Sequence, residues 1–284
     1  MAALDKQMRI LIIDGHAFAY RAFFAIRDLS SPSGRPTNAI YGFINMFEKF
    51  EAKVLPTHTV VVWDGGLDEG RVEELSDYKD QRDPMPDDME VQLDEIESYL
   101  EASGIASVCH KGVEADDRIG QLTKSAESEG LEVAIASSDK DFFQLVNDRV
   151  KIWNPSDKSG EPMDENAVKI KTGVRPEQIV DWLSLVGDAA DNISGVPGIG
   201  VKTAATLLNE FGTVSELYKR LEDVKRDKQR QALLDSEANV RRNQNLISLK
   251  MDLDDEPEID SLRKGFEDTV QLEKLYEKWG FKAK

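Results

Sequence analysis

The chain predicts an α/β fold, a central and mostly parallel sheet flanked by helices, with a helical portion after it. Three observations carry that reading. Short apolar, β-branched runs alternate with helix-periodic segments as far as about residue 161, the pattern of strand–helix–strand crossovers. Just beyond the carboxyl ends of three of those runs stand aspartates: Asp14, Asp64, and the pair Asp139 and Asp141. Beyond about residue 162 the alternation stops and helical periodicity takes over. The boundaries implied are 1–161 for an α/β core and 162–284 for a helical portion.

Taken in order, Arg9-Ile10-Leu11-Ile12-Ile13 reads as a buried strand ending at Asp14-Gly15, before a helical pattern that holds Tyr20 and Arg21. Residues 30–37, with Pro32, Gly34 and Pro36, form a loop. Residues 38–54 place Ile40, Phe43, Ile44, Phe47 and Phe50 at core spacing on a helix. Thr59 to Trp63 is the second strand, closed by Asp64-Gly65-Gly66. The charged stretch 67–90, poor in apolar residues and holding Pro84 and Pro86, reads as exposed and partly mobile. A helix over 89–103, a strand over 105–109, a helix over 117–129 and a strand over 131–136 follow; a short helix, Phe142 to Val146, and a strand, Val150 to Trp153, complete the alternation.

The acids fall at chosen places. In an open α/β sheet ligands gather beyond the carboxyl ends of the strands, where Asp14, Asp64, Asp139 and Asp141 stand. A single acid there is ordinarily a turn former or helix cap. Glu114-Ala115-Asp116-Asp117 adds three carboxylates at the mouth of a helix, more than capping and dipole compensation require. So crowded, they repel one another unless a cation sits between them, and a hard divalent ion such as Mg²⁺ suits carboxylate oxygens. Farther on, Gly187-Asp188-Ala189-Ala190-Asp191 sets two more acids three residues apart, facing one way if helical. Gly195-Val196-Pro197-Gly198-Ile199-Gly200-Val201-Lys202-Thr203 is a glycine-punctuated turn entering a helix, a form that exposes backbone N–H groups to an anion with Lys202 nearby. The cluster Lys225 to Arg230 reads as a solvated face.

Composition narrows the classes. The single Cys109 excludes an internal disulfide and a cysteine zinc site, and His16, His58 and His110 lack ligand spacing. With no run of about 18 apolar residues and no signal segment, the chain reads as cytoplasmic. A nucleotide-binding enzyme would need a Gly-rich phosphate loop after a strand, which is missing. The formal charge of −18, from 54 acidic and 36 basic residues, argues against a polyanionic partner when taken alone.

Seven motifs, in order, nevertheless resemble the 5′-nuclease (flap endonuclease) family, most closely the N-terminal 5′→3′ exonuclease domain of bacterial DNA polymerase I. They are Tyr20-Arg21-Ala22, Val62-Trp63-Asp64, Tyr78-Lys79-Asp80-Gln81-Arg82, Glu114-Ala115-Asp116-Asp117, Ser138-Asp139-Lys140-Asp141, Gly187-Asp188-Ala189-Ala190-Asp191-Asn192 and Gly195 to Ala204. The likeness runs from Ile10 to Phe281. It implies a PIN-like nuclease core whose mobile segment, about 67–90, forms an arch, and a helical subdomain of helix-hairpin-helix type. It further implies hydrolysis of DNA phosphodiesters by 5′→3′ exonuclease and 5′-flap endonuclease action, with two or more Mg²⁺ or Mn²⁺ ions, in replication and repair. By resemblance, Asp64, Glu114, Asp116 and Asp117 bear on one metal, Asp139, Asp141, Asp188 and Asp191 on a second, and Asp14 supports the first. Lys79 and Arg82 would meet the scissile phosphate, Tyr78 would stack on a terminal base, and Arg21 would contact phosphate. Arg71 and the turn residues Gly195, Gly198, Gly200, Lys202 and Thr203 would hold DNA, with a K⁺ ion at the helix-hairpin-helix element. Expected partners are DNA with flaps, nicks or 5′ ends, and RNA primer ends, bound by a monomer near the bacterial nucleoid.

The chain departs from the family at two places. Gly65-Gly66-Leu67-Asp68-Glu69-Gly70 stands where relatives often carry basic residues, with Gly70 replacing an aromatic before Arg71, and Ser194 replaces the proline of Asp-Asn-Ile-Pro-Gly. The negative charge is expected to be segregated, with acids gathered at the metals and on an acidic back, and bases on the DNA face.

Overall fold

The computed structural model describes residues 8–157, 159–255 and 257–282. Five parallel strands form the sheet: β1 (Arg9–Asp14), β2 (His58–Trp63), β3 (Ala106–Cys109), β4 (Glu132–Ala136) and β5 (Val150–Trp153), in the order β3-β2-β1-β4-β5. The parallel α/β expectation therefore holds. Helices α1 (Gly15–Ala25), α2 (Asn38–Val54), α3 (Glu69–Glu74), α4 (Asp87–Ala102) and α5 (Ala115–Ser128) connect the first four strands. The 142–146 segment forms a 3₁₀ helix over Asp141–Leu145.

Alternate side chains of β1 point to opposite faces, as a strand's two-residue period requires. Ile10 and Ile12 join the core under α5, and Leu11 and Ile13 join the core under α1, α2 and α4. Both faces are covered, which explains why the strand reads as a continuous apolar run rather than an alternating one. Strand order reverses at β1: β2 and β3 lie on one side of it, β4 and β5 on the other. That switch point opens a crevice at the carboxyl edge between β1 and β4. Ser137, just past β4, bridges it by donating to Asp14 Oδ2 at 2.9 Å.

The apolar core on the α5 face continues without a break into the helical portion through Val168, Leu183, Leu207 and Val240. That portion holds α6 (Glu165–Thr172), α7 (Ile179–Val186), α8 (Val201–Phe211), α9 (Val214–Lys219), α10 (Asp227–Ile247) and α11 (Thr269–Trp279). Between α7 and α8 lies a two-stranded hairpin, β6 (Gly187–Asp188) and β7 (Ile193–Ser194), antiparallel. The stretch with Asp188 and Asp191 is thus a hairpin and not a helix. A Cβ at Gly195 would lie 2.2 Å from the Val186 carbonyl oxygen, so the hairpin closes only with glycine there. Among the described residues no helix is long and apolar enough to cross a membrane.

The stretch 67–90 is mostly exposed, as expected, but four of its residues turn inward. It is charged, yet it buries Arg71, Tyr78, Lys79 and Met89, and it includes α3 and the start of α4. Its entry is fixed by backbone pairing. Gly65 N donates to Val113 O at 3.0 Å, and Gly112 N donates to Gly65 O at 2.8 Å. A Cβ on Gly65 would lie 1.7 Å from the His110 carbonyl oxygen, so the family's bulkier residues do not fit at this position. Gly65→Ala is expected to destabilise the protein by about 2–4 kcal/mol, read as a lowered denaturation midpoint with an unchanged m-value. A stability equal to wild type would disprove the close approach.

Candidate metal centre and nucleic-acid interface

The carboxylates converge at the carboxyl edge through several independent local devices. Asp14 ends β1 and caps α1, accepting from Ala17 N at 3.0 Å. Asp64 follows β2; its backbone N–H donates to His16 Nδ1 at 3.1 Å, and its side chain accepts from Gly66 N at 2.8 Å. After β4, Asp139 accepts from Asp141 N at 2.9 Å, a tight turn that sends both side chains the same way. The β6–β7 hairpin then delivers Asp188 and Asp191 from the helical portion. Asp141, Asp188 and Asp191 each offer an oxygen, and these atoms lie within 4.8 Å of one another.

The electrostatics of this edge follow from burial and like charge. Burial pushes the Asp116 carboxyl well above the usual range, and neighbouring Asp139, Asp14 and Asp141 add to the rise. Burial does the same for Asp141, with Asp139, Asp188 and Asp191 contributing. Asp14 is pushed up to about 6, mainly by burial, with Asp139 and Asp64 as charged neighbours. The Oδ1 atom of Asp141 is buried without a hydrogen-bond partner. An all-oxygen set of mutually repelling carboxylates with an unsatisfied buried acceptor suits a hard divalent cation.

Cationic side chains meet the same carboxylates. Lys79, 5% exposed and in left-handed backbone conformation with φ 56°, reaches Glu114 Oε2 at 2.9 Å and lies 3.9 Å from both Asp116 and Asp191. The hairpin sets this conformation: Lys79 N donates to Asp191 O, and the Asn192 side chain donates to Asp77 O at 2.9 Å. Arg82, half exposed, pairs with Asp191 at 2.7 Å, and Lys140 pairs with Asp188 at 2.5 Å.

The remaining candidates divide. Glu114 and Asp117 are buried and turned toward bases: Glu114 Oε2 accepts from Arg71 Nη1 at 2.7 Å, and Asp117 accepts from both Arg71 Nη atoms at 2.7 Å and from Lys250 N at 2.8 Å. Arg71, expected at the DNA surface, is only 3% exposed. Tyr78, expected to stack on a base, is 4% exposed with its hydroxyl 3.3 Å from Glu114, so its ring presents no stacking face here. Arg21 projects from α1 and donates to Ser156 Oγ, three residues past the end of β5. Gly195 is packed in the hairpin, whereas Gly198 and Gly200 are exposed with open space where a Cβ would stand. Lys202 and Thr203 begin α8 and line a groove with Lys225 and Arg226. The Lys225 cluster therefore borders the glycine-rich turn rather than forming an unrelated face. His16, Ser137 and Lys140 contact this edge although the sequence assigns none of them a role; each lies within three residues of a singled-out aspartate, the signal that points to them.

A carboxyl that titrates higher folded than unfolded stabilises the fold below its unfolded value of 3.8 and loses that contribution as pH rises through about 6. Asp14→Asn removes the penalty while retaining an acceptor for Ala17 and an amide that can bond Ser137. Without added metal, the variant is expected to match wild type near pH 4 and to exceed it by up to about 3 kcal/mol at pH 8. Parallel stability curves across that range would refute the assignment.

The chain is similar in sequence and fold to known proteins. The family model described as 5′-3′ exonuclease, N-terminal resolvase-like domain, matches residues 9–173, and that described as 5′-3′ exonuclease, C-terminal SAM fold, matches residues 174–269. A 5′-3′ exonuclease of Aquifex aeolicus is 39% identical over 245 residues, covering 86% of this chain and 83% of the relative. DNA polymerase I of Bacillus caldotenax is 37% identical over 279 residues, 97% of this chain; the chain spans 32% of that polymerase's length. Among solved structures, a bacteriophage T5 flap endonuclease in a pseudo-enzyme-product complex with DNA and metal ions is 24% identical at a TM-score of 0.70, covering 85% of this chain and 89% of the other. The catalytic core of Rad2 in complex with DNA substrate is 18% identical at a TM-score of 0.63, covering 97% and 89%. These two likenesses show the shared fold. The resemblance carried by the seven motifs is borne out across both portions of the molecule, and the chain belongs to the 5′-3′ exonuclease family of nuclease hydrolases.

Proposed function

We propose that this protein is a metal-dependent nuclease that hydrolyses DNA phosphodiesters at 5′ ends and 5′ flaps. The observation that carries the reading is the buried meeting of Asp141, Asp188 and Asp191 beside Asp116 and Asp139, with Lys79 and Arg82 on the same edge. Binding of DNA alone gives no reason to hold self-repelling carboxylates together. Two Mg²⁺ or Mn²⁺ ions are the proposed cofactor; when bound they would lower the pKa of water and shield charge on the phosphate. Asp139, Asp141, Asp188 and Asp191 would hold one ion, and Asp14, Asp64, Asp116 and Asp139 the other. Glu114 and Asp117 serve the site through the bases they hold.

The chain's own groups do the rest. Lys79 and Arg82 orient the scissile phosphate and offset the charge that develops on it. Backbone N–H groups at Gly198 and Gly200, with Lys202 and Thr203 at the start of α8, take the duplex backbone without reading sequence, aided by a K⁺ ion. Protons compete with cations for Asp116 and Asp141, whose carboxyls burial pushes upward, so metal affinity rises with pH. Bases at this face, with Lys225 and Arg226 in the same groove, allow DNA binding despite the net negative charge. Action as a monomer, on RNA primer ends as well as DNA, in bacterial replication and repair, completes the proposal.

The test is cleavage of a 5′-flap DNA labelled at its 3′ end, with Mg²⁺ against EDTA. Cutting near the flap junction is expected with Mg²⁺ and not with EDTA, and an Asp116→Asn, Asp139→Asn double variant should stay at the EDTA background. Lys79→Ala should lower kcat by about 100-fold. A flap that is bound but left intact with either metal would replace this reading with a non-cutting binder of the same fold. Separately, Lys202→Gln should weaken duplex binding and reduce the slope of log affinity against log salt by about 1.

A further inference from the structure

We propose that Arg71 is a positioning residue of the nuclease rather than a DNA contact, acting through Glu114 on Lys79; this rests on the nuclease reading above. The guanidinium is 3% exposed and sits where three elements meet. From α3 its Nη1 donates to Glu114 Oε2 and to Asp117 Oδ2, both at 2.7 Å, at the mouth of α5. Its Nη2 donates to Asp117 Oδ1 at 2.7 Å and to Ser248 O, at the end of α10, at 3.0 Å. Such a fork fixes direction as well as distance, which a point charge does not.

Glu114 Oε2 is the shared atom. It accepts from Arg71 at 2.7 Å, from Lys79 Nζ at 2.9 Å and from Tyr78 Oη at 3.3 Å, and the carboxylate is 1% exposed. Lys79 holds its ammonium 3.9 Å from Asp116 and from Asp191, between the two groups of acids. Its place therefore depends on where Glu114 points, and Glu114 is fixed by Arg71. A second tie secures α3 itself. Asp68 caps that helix by accepting from Arg71 N at 2.8 Å, and the same carboxylate accepts from Lys250 Nζ at 2.6 Å, while Lys250 N donates to Asp117. Gly70 sits against this knot: a Cβ there would stand 3.1 Å from Asp68 Oδ1 and 3.5 Å from Lys250 Nζ. The glycine that replaces the family's aromatic is exposed and lies directly beside this anchoring point.

The experiment compares wild type, Arg71→Lys, Arg71→Gln, Asp117→Asn, Lys79→Ala and the Arg71→Lys, Lys79→Ala double variant on the 5′-flap substrate, with thermal melting of each. Arg71→Lys keeps the charge and loses the fork. It is expected to lower kcat at least about 10-fold with KM and flap affinity within about threefold, and Asp117→Asn is expected to reproduce the loss. In the Lys79→Ala background, Arg71→Lys should cost less than about threefold more, because both changes remove the same group from its place. Arg71→Gln should leave the salt slope of flap binding unchanged. Normal kcat in Arg71→Lys, additive losses in the double variant, or a slope reduced by about 1 in Arg71→Gln would each overturn the proposal. If Arg71→Gln fails to fold, Arg71→Lys and Asp117→Asn still decide it. A wild-type protein that does not cut would instead remove the nuclease reading on which the proposal stands.

Discussion

Bringing Asp141, Asp188 and Asp191 within 4.8 Å of one another sets up a repulsion of about 3 kcal/mol for each ionised pair at an effective dielectric near 20. That is a sizeable fraction of the stability of an ordinary domain. The surroundings are arranged to bear it. Arg82 lies on Asp191 and Lys140 on Asp188, while Lys79 stands between Asp116 and Asp191. Asp141 keeps an oxygen with no partner, and the carboxyls of Asp14, Asp116 and Asp141 are driven toward their protonated forms. A group of acids balanced by side-chain cations and by protons is one in which incoming divalent ions displace weaker claimants. The same balance keeps the bases close to where a phosphate would arrive.

Topology decides why the acids meet at all. The switch of strand order at β1 opens the crevice, and Asp14 and the 137–141 turn flank it from adjacent strands. The helical portion closes it from the far side. It can do so with accuracy because its core is continuous with the sheet's, through Val168, Leu183 and Leu207, so the β6–β7 hairpin is carried on a rigid support. Asn243 tightens that support by donating from α10 to Ser184 O, in α7, and to Ser194 O, in β7, at 3.1 and 2.9 Å. Sites held on packed elements keep sub-ångström geometry better than sites held on loops.

The strands and the acids after them were legible because burial on both faces leaves an unmistakable apolar run, and because one acid type recurred at one structural position. Residues 38–54 were legible for the same reason, with aromatic side chains at helical spacing. The hairpin at 187–194 was not. Two strands of two residues have no periodicity to detect, and acids three apart fit a helix equally well. Within the mostly exposed segment 67–90, composition misled at a few positions. Its charges suggested solvent, yet Arg71 and Lys79 are charged residues that bury because acids 35 or more positions away in sequence receive them. Local sequence carries no signal for such long-range pairing, so the inward turn of Arg71 and Tyr78 lay beyond it.

The net charge of −18 takes on a different meaning in this light. Charge acts on a partner through its local distribution, not through its sum, because screening limits each group to a range of about 8 Å at physiological ionic strength. Several of the acids are sequestered at the sheet edge or neutralised there by Lys79, Arg71, Arg82 and Lys140. Lys202, Lys225 and Arg226, in contrast, share one groove beside an exposed glycine turn, with Glu210 the acid among its lining residues. An acidic protein can therefore present a cationic path to a phosphate backbone, provided that its acids are spent where a metal needs them or lie more than a screening length away.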